Sequence, residues 1–453
     1  MLNYASLAVD LPEDVLKRKW AGDLSGEETL ISALLKRELP PLLRDRLTLE
    51  QAMIPVYRRS FIYSRGQALG MIREKVPDFT EADLDALELD RAVEYAYIDG
   101  EKRYLSSFLD TLLKVDPAFR VRAGLAAADT NPELDDVIAE MKREGKVTYC
   151  IRLKAELKVN DDAFVPKADY RVYLPLPQAC AQQSNIVIDA MGRRIAAPDA
   201  FQRTICFERS SSENMPFTAE YEYDNTIIYT DPLNDRKPVS HVYPDVPAPC
   251  ADDLSEQLPH IAFTPLLRSL AAEIMGNETD PIRIAKRFYD YITTRICYSY
   301  MRPYFLIERQ AEFCALNGKG DCGIQAILFI TLCRIAGIPA RWQSGLSVGR
   351  ETAGCHDWAQ FYAEPYGWLF ADPSYGGSAY RNGAEERREF YFGNLDPFRM
   401  VANSRYQTDF DPPKRCDRAD PYDNQEGEAE VNGTLLARDC FAAEQRTLKR
   451  EKR

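Results

Sequence analysis

The stretch Gly318-Lys319-Gly320-Asp321-Cys322-Gly323 stands directly before a segment with helical periodicity. From Cys322 onward, apolar residues occupy nearly every side of this predicted helix, which ends at Gly337. A helix that is apolar almost all round is expected to be buried. The stretch therefore predicts a buried central helix with a cysteine in its first turn.

The position of Cys322 has chemical consequences. The start of a helix presents unpaired N–H groups and positive potential, which are expected to lower the pKa of a nearby thiol. The same N–H groups are able to hold a developing oxyanion. Gly323 is expected to leave room for a substrate backbone to approach.

A hairpin downstream supplies two partners for such a thiol. Alternating residues predict a strand over 356–364 and a second over 368–372, joined by Pro365-Tyr366-Gly367. The start of one antiparallel strand lies near the end of its partner, so His356 and Asp372 are expected to lie close together. The imidazole would take the thiol proton and the carboxylate would orient the ring. Cys322, His356 and Asp372 thus form a candidate nucleophile, base and orienting group.

Four motifs in this order resemble the transglutaminase-like superfamily of papain-type cysteine enzymes. The resemblance covers roughly Asp280 to Pro373. The motifs are Gly320-Asp321-Cys322-Gly323, Leu332-Cys333-Arg334-Ile335-Ala336-Gly337-Ile338-Pro339-Ala340-Arg341, His356-Asp357-Trp358-Ala359-Gln360 and Gly367-Trp368-Leu369-Phe370-Ala371-Asp372-Pro373. The resemblance implies a Cys322-His356-Asp372 triad and a papain-like α+β fold.

The resemblance leaves the reaction open. It implies a cysteine-dependent amide hydrolase, a peptidase or amidase, that works through a thioester on a protein or peptide substrate. Glutamine acyl transfer and a non-catalytic protein-binding module are the alternatives. Family members often complete the oxyanion hole with an upstream Trp, yet no Trp lies between Trp20 and Trp342. The candidates to take the place of this Trp are Tyr298, Tyr300, Gln310 and Asn317.

Composition excludes several other classes. The 453 residues carry a net charge of −13, which argues against nucleic-acid or anionic-membrane binding. The chain holds three histidines and eleven cysteines, without C-x-x-C or H-E-x-x-H spacing, so neither a metal nor another cofactor is expected. No segment reaches 18 uncharged apolar residues and no signal peptide is recognised, so a cytoplasmic location is expected.

The pattern divides the chain into three parts and predicts a multidomain α+β protein. Residues 1–145 predict a helical accessory domain able to bind a protein partner, with Trp20, Phe61 and Tyr104 in its core. Residues 146–250 alternate with period two and predict an antiparallel β-sandwich-like domain. Residues 251–453 predict the transglutaminase-like domain with a C-terminal wrap.

Several features have a plain structural interpretation. The acidic segment 409–430 and the basic end at 446–453 are expected to be solvated. Structural roles are expected for the residues outside the triad, which are His241, His260, Cys333, Cys355, Trp358 and Trp368.

Overall fold

A computed structural model describes residues 2–127, 130–189, 194–234, 243 and 246–453. His241 and most of the proline-rich stretch around it therefore lie outside the described residues. The helices are α1 Glu13–Ala21, α2 Leu24–Leu34, α3 Pro41–Ser60, α4 Arg65–Lys75, α5 Glu81–Leu89, α6 Phe108–Val115, α7 Pro117–Arg122, α8 Pro132–Glu144, α9 Pro265–Met275, α10 Pro281–Arg295, α11 Gln310–Asn317, α12 Cys322–Ile335, α13 Pro373–Arg381 and α14 Glu385–Phe390.

The strands form mostly antiparallel sheets. They are β1 Phe61–Ser64, β2 Tyr95–Ile98, β3 Glu101–Leu105, β4 Lys146–Val159, β5 Tyr170–Pro175, β6 Gln183–Asp189, β7 Arg194–Ile195, β8 Thr204–Arg209, β9 Phe217–Ile228, β10 Cys297–Tyr298, β11 Lys319–Gly320, β12 Ala340–Val348, β13 Ala353–Ala363, β14 Gly367–Ala371, β15 Phe392–Gly393, β16 Arg399–Asn403, β17 Glu428–Val431, β18 Thr434–Leu435 and β19 Phe441–Lys452.

The N-terminal region is not purely helical. Its described residues form eight helices, α1 to α8, and a small three-stranded sheet in the order β1-β3-β2, and the sequence pattern did not reveal this sheet. Phe61 and Tyr104 are buried in it as expected, whereas Trp20 is 77% exposed. A single aromatic residue on a short helix is therefore a poor indicator of the core.

Two sheets form the β region. One has the order β18-β17-β5-β8-β7 and the other β19-β4-β9-β6. Three of these strands, β17, β18 and β19, come from the last 26 residues of the chain. The expected boundary at residue 250 therefore does not separate the strands of the β region from the C-terminal part.

The C-terminal segments differ from the expected solvated loops. The basic end forms β19, which pairs with β4 from Phe441 opposite Val159 to Lys452 opposite Tyr149. Within the acidic segment, Asp423, Glu428 and Glu430 are buried. The segment is held by ion pairs such as Lys414 with Glu428, because buried carboxylates need such partners.

The third part is built around α12. Residues 323–334 of this helix are all buried, as their apolar pattern predicted. The helix packs against the five-stranded sheet β15-β14-β13-β12-β16 and against α10 and α11. Its core is continuous with that of the β region. Among the described residues, no helix is long and apolar enough to cross a membrane.

Candidate active site

Cys322 is the first residue of α12, as the sequence predicted. Asp321 caps the helix by accepting a hydrogen bond from the Ile324 N–H at 3.3 Å. A further hydrogen bond to the same carboxylate comes from the Tyr304 hydroxyl, at 2.6 Å. The half-buried thiol thus lies beside the free N–H groups of a helix whose position is fixed by burial.

His356 and Asp372 lie together at one end of the hairpin. In the register of β13 and β14, Ala359 faces Ala371, so Asp372 follows the paired segment and reaches back toward His356. The His356 Nε2 and Asp372 Oδ2 atoms are 2.7 Å apart, and both side chains are buried.

Asp372 is held as a carboxylate. It accepts a hydrogen bond from the Tyr375 N–H at 2.9 Å and pairs with the buried Arg399 at 3.0 Å. Burial by itself raises the pKa of Asp372, but its interactions with His356 and Arg399 outweigh burial and hold the pKa below its ordinary value. The carboxylate therefore remains an acceptor at neutral pH.

His356 is held as a neutral imidazole. Burial lowers its pKa below the ordinary value, and this effect exceeds the opposing one of Asp372. A neutral ring that bonds an ionised carboxylate through Nε2 must carry its hydrogen there. Its Nδ1 is then free to accept a proton, which is the state that a general base requires.

The thiol itself is bonded to a different residue. Cys322 donates to Asp357 Oδ2 at 3.2 Å, and Asp357 directly follows His356 in β13. No hydrogen bond joins Cys322 to His356 within the part of the chain that the structure describes. The structure thus brings His356 and Asp372 into contact. The Cys322 thiol instead contacts Asp357, the residue that follows His356 in β13. Catalytic hydrogen bonds are often unformed in ligand-free enzymes and tighten when the substrate binds.

The pKa of Cys322 also differs from the expectation. Burial raises it well above the ordinary value, and the carboxylates of Asp357 and Asp321 add to this effect. The helix start therefore does not by itself produce a thiolate here. Asp357 was not predicted as a site residue, although a charged residue on the same face of the strand as the buried Ala359 and Phe361 was a signal that could have revealed it.

Two of the four candidates for the oxyanion hole, Gln310 and Asn317, use their donor groups elsewhere. Gln310 bonds the Tyr304 carbonyl and the Tyr406 hydroxyl, and Asn317 bonds the Phe313 carbonyl. Tyr300 accepts a hydrogen bond from Lys114. Tyr298 is buried, and burial raises its pKa well above the ordinary value, so its hydroxyl is neutral.

The structure describes five of the six residues for which a structural role was expected, all but His241. His260 is buried and lies 2.8 Å from the Tyr422 hydroxyl. Cys333 is buried in α12, whereas Cys355 is exposed, and none of the eleven cysteines forms a disulfide. Trp358 and Trp368 are both buried in the hairpin. Among the described residues, no group of three or more metal-ligating side chains is arranged to hold an ion.

Comparison with known families finds one match in the chain. Residues 268–373 match the family model of the Transglutaminase-like superfamily, a span that includes Cys322, His356 and Asp372. The chain therefore contains a transglutaminase-like core, and the resemblance inferred from the sequence is confirmed. This core defines a general class, that of cysteine-dependent hydrolases and acyltransferases.

Solved structures give weaker likenesses. A candidate cysteine protease from Cytophaga hutchinsonii is 14% identical, with a TM-score of 0.42 over 67% of this chain and 91% of that one. The periplasmic domain of TgpA from Pseudomonas aeruginosa is 16% identical, with a TM-score of 0.29 over 55% of this chain and 95% of that one. With TM-scores below 0.5, neither likeness bears on the function of this chain. Curated proteins give no match to the sequence.

Proposed function

We propose that the protein is a cysteine-dependent amide hydrolase, a peptidase or amidase. Cys322 is the nucleophile, His356 the general base and Asp372 the group that orients the imidazole. The observation that supports this most strongly is the 2.7 Å hydrogen bond between His356 and Asp372. The residue after His356, Asp357, contacts the Cys322 thiol. A buried helix start, a neutral imidazole and an ionised carboxylate are the components that such chemistry needs.

The mechanism uses these protonation states. The S–H group of Cys322 turns from Asp357 toward His356 and gives its proton to Nδ1, while the sulfur attacks an amide carbonyl carbon. The imidazolium, stabilised by Asp372, then protonates the leaving amine as the C–N bond breaks. A thioester on Cys322 remains, and water activated by the now neutral imidazole hydrolyses it.

The oxyanion is held by donors already at the site. The proposed donors are the free N–H groups at the start of α12 and the neutral hydroxyl of Tyr298. Of the four substitutes for the upstream Trp, Tyr298 is the one that the surroundings of Cys322 favour.

The substrate is proposed to be a protein or peptide, and the N-terminal region is proposed to border its binding site. Lys114 of α6 lies 4.2 Å from the ring centre of Tyr298 and 4.8 Å from that of Tyr300. The N–H of Tyr300 also donates to the Thr111 hydroxyl. These contacts support a position of the N-terminal region beside the proposed site, where it would offer a surface for a protein partner.

Hydrolysis of a fluorogenic peptide library tests the proposed function. The wild type is expected to cleave members of the library, and Cys322→Ala is expected to abolish cleavage without loss of folding. Cys355→Ser, which replaces an exposed thiol close to His356, is the matched control and is expected to retain activity. Equal activity of Cys322→Ala and the wild type would contradict the proposal.

Acyl transfer is separated from hydrolysis in the same preparation. A labelled primary amine is added together with a glutamine-bearing protein, because an amine resolves the thioester in place of water in a transferase. If the amine is incorporated faster than the substrate is hydrolysed, the protein is a transferase and the hydrolase proposal is wrong.

A binding module without catalysis is the second candidate, favoured by one observation. The thiol bonds Asp357 rather than His356, and its pKa is raised. Under this alternative Cys322→Ala retains the protein's cellular activity in full, whereas the hydrolase proposal requires its loss.

A further inference from the structure

The carboxyl group of Asp357 touches the sulfur that the proposed reaction uses. Its Oδ2 atom is 3.2 Å from Cys322 Sγ, and its other oxygen accepts a hydrogen bond from Gln425. The same Gln425 amide donates to the His356 carbonyl at 3.1 Å. A residue from the C-terminal segment therefore fixes the carboxyl group against the thiol.

The surroundings of Asp357 are acidic. Asp423 of the C-terminal segment hydrogen-bonds its side chain, and Asp321 lies at the start of α12. Tyr298 and Tyr304 also face it, and both are neutral because their pKa values are raised well above 10. His356 on the same strand is neutral as well.

The positively charged side chains near Asp357 interact with other groups. Lys114 acts on Asp321 and His356, and Arg418 acts on Asp423. No Lys or Arg forms an ion pair with Asp357 within the described residues. Asp357 and Asp423 are adjoining buried carboxyls that cannot both ionise readily, and only Asp423 faces a cation in the described part of the chain, so the proton is kept by Asp357. Burial, then the charges of Asp423 and Asp321, raises the pKa of Asp357 well above its ordinary value.

We propose that Asp357 is a further catalytic residue, which keeps its proton and donates it in a hydrogen bond to the Cys322 thiolate. This inference rests on the proposed function, because it assumes that Cys322 reacts as a thiolate. The thiol proton passes to His356 Nδ1, and the Asp357 O–H turns from Asp423 to the sulfur. The S–C bond then forms as the carbonyl π electrons move to oxygen.

Protonation of Asp357 reverses the effect that this residue has on the thiol. An ionised carboxylate at this distance would oppose the thiolate by charge repulsion. A protonated carboxyl stabilises it instead, because hydrogen bonds to charged groups are among the strongest. The charges of Asp357 and Asp321 help to raise the pKa of Cys322, and this effect applies when both carboxyls are ionised.

The test is the rate of Cys322 alkylation by iodoacetamide as a function of pH, measured by peptide mass mapping. We expect Asp357→Asn to keep the wild-type midpoint, since the carboxamide also donates a hydrogen bond. We expect Asp357→Ala to raise the midpoint by about one to two pH units, which slows alkylation at neutral pH by about 10- to 100-fold. Asp357→Val serves as a second variant without a donor, in case the alanine variant fails to fold.

The outcomes are distinct. If Asp357 is an ordinary ionised neighbour, both Asn and Ala remove a repelling charge and speed alkylation, which would overturn the inference. An unchanged midpoint in the Ala and Val variants would overturn it as well. Glu426→Gln, which changes an exposed carboxyl of the same segment that pairs with Arg438, is the matched control and should keep the neutral-pH rate. Wild-type Cys322 that reacts no faster than the exposed Cys250 and Cys297 at any pH would instead contradict the proposed function itself.

Discussion

At the scale of single residues, the site depends on how burial and charge set protonation. Burial favours the neutral form of His356, while Arg399 keeps Asp372 ionised. Spacing in the sequence predicted that His356 and Asp372 would meet, because antiparallel pairing is a local property of a hairpin. The contact of Asp357 with the thiol depends on the packing of α12 against β13, which spacing does not encode.

Asp372→Asn separates the charge of this residue from its structural role. Asp372 also caps α13 by accepting from the Tyr375 N–H, and Asn caps helices about as well. We expect turnover to fall by about 10²- to 10⁴-fold, because the imidazolium loses its counter-charge. Circular dichroism should show an unchanged helical signal. Turnover close to that of the wild type would exclude Asp372 as the orienting group.

His260 makes stability depend on pH. Burial lowers its folded pKa to about 3, whereas the unfolded value is about 6.5. The unfolded chain binds the extra proton below pH 6.5, so this contribution is complete above 6.5 and is lost as the pH falls toward 3. We expect the loss to reach about 2 kcal/mol at pH 5.

Urea unfolding at pH 7 and pH 5 measures the effect of His260. His260→Gln removes the titrating group and keeps a polar partner for Tyr422, which lies 2.8 Å from the His260 ring nitrogen. The variant should lose about 2 kcal/mol less than the wild type between the two pH values. Identical losses in both proteins would show that His260 is not held neutral.

At the scale of elements, the start of α12 is the critical feature. The sequence predicted this helix correctly, because Asp321 is a good cap and the apolar pattern is unbroken. It did not predict what fills the space at Gly323. A Cβ atom there would lie 2.2 Å from the Tyr304 hydroxyl and 2.9 Å from Asp357 Oδ2, so this space holds protein side chains and not a substrate backbone.

Gly323→Ala is therefore expected to displace Tyr304 and Asp357. We expect acylation of Cys322 to slow by at least about 10-fold, since small displacements at a reacting centre cost rate steeply. Gly354→Ala in β13 is the control, because no atom lies within 4 Å of a Cβ at that position. Measured acylation rates that are equal in the two variants would contradict the described packing.

At the scale of the whole molecule, the two ends of the β region come from distant parts of the chain. β19 pairs with β4, and β17 pairs with β5. Local patterns predicted β4 and β5 well, as alternation is visible within each strand. They could not predict the C-terminal partners, because pairing between strands more than 250 residues apart leaves no local signal.

Removal of residues 441–453 tests the role of β19. The deletion exposes the edge of β4 and removes the buried Phe441. We expect loss of cooperative thermal unfolding, because an edge strand with a buried face is part of the core. A full-length variant with Arg446→Ala and Glu451→Ala, which loses only exposed charges, should unfold like the wild type. A cooperative transition at the wild-type temperature in the deletion variant would contradict this role.

The proposed nucleophile and base are tested most sharply by a trapping experiment with an activated acyl ester, followed by intact and peptide mass measurement. The mechanism predicts one acyl group per protein, bound to Cys322, and slower acylation by about 10²-fold or more in His356→Gln. A folded wild-type protein that acquires no acyl group on Cys322, or a His356→Gln variant that is acylated at the wild-type rate, would contradict it.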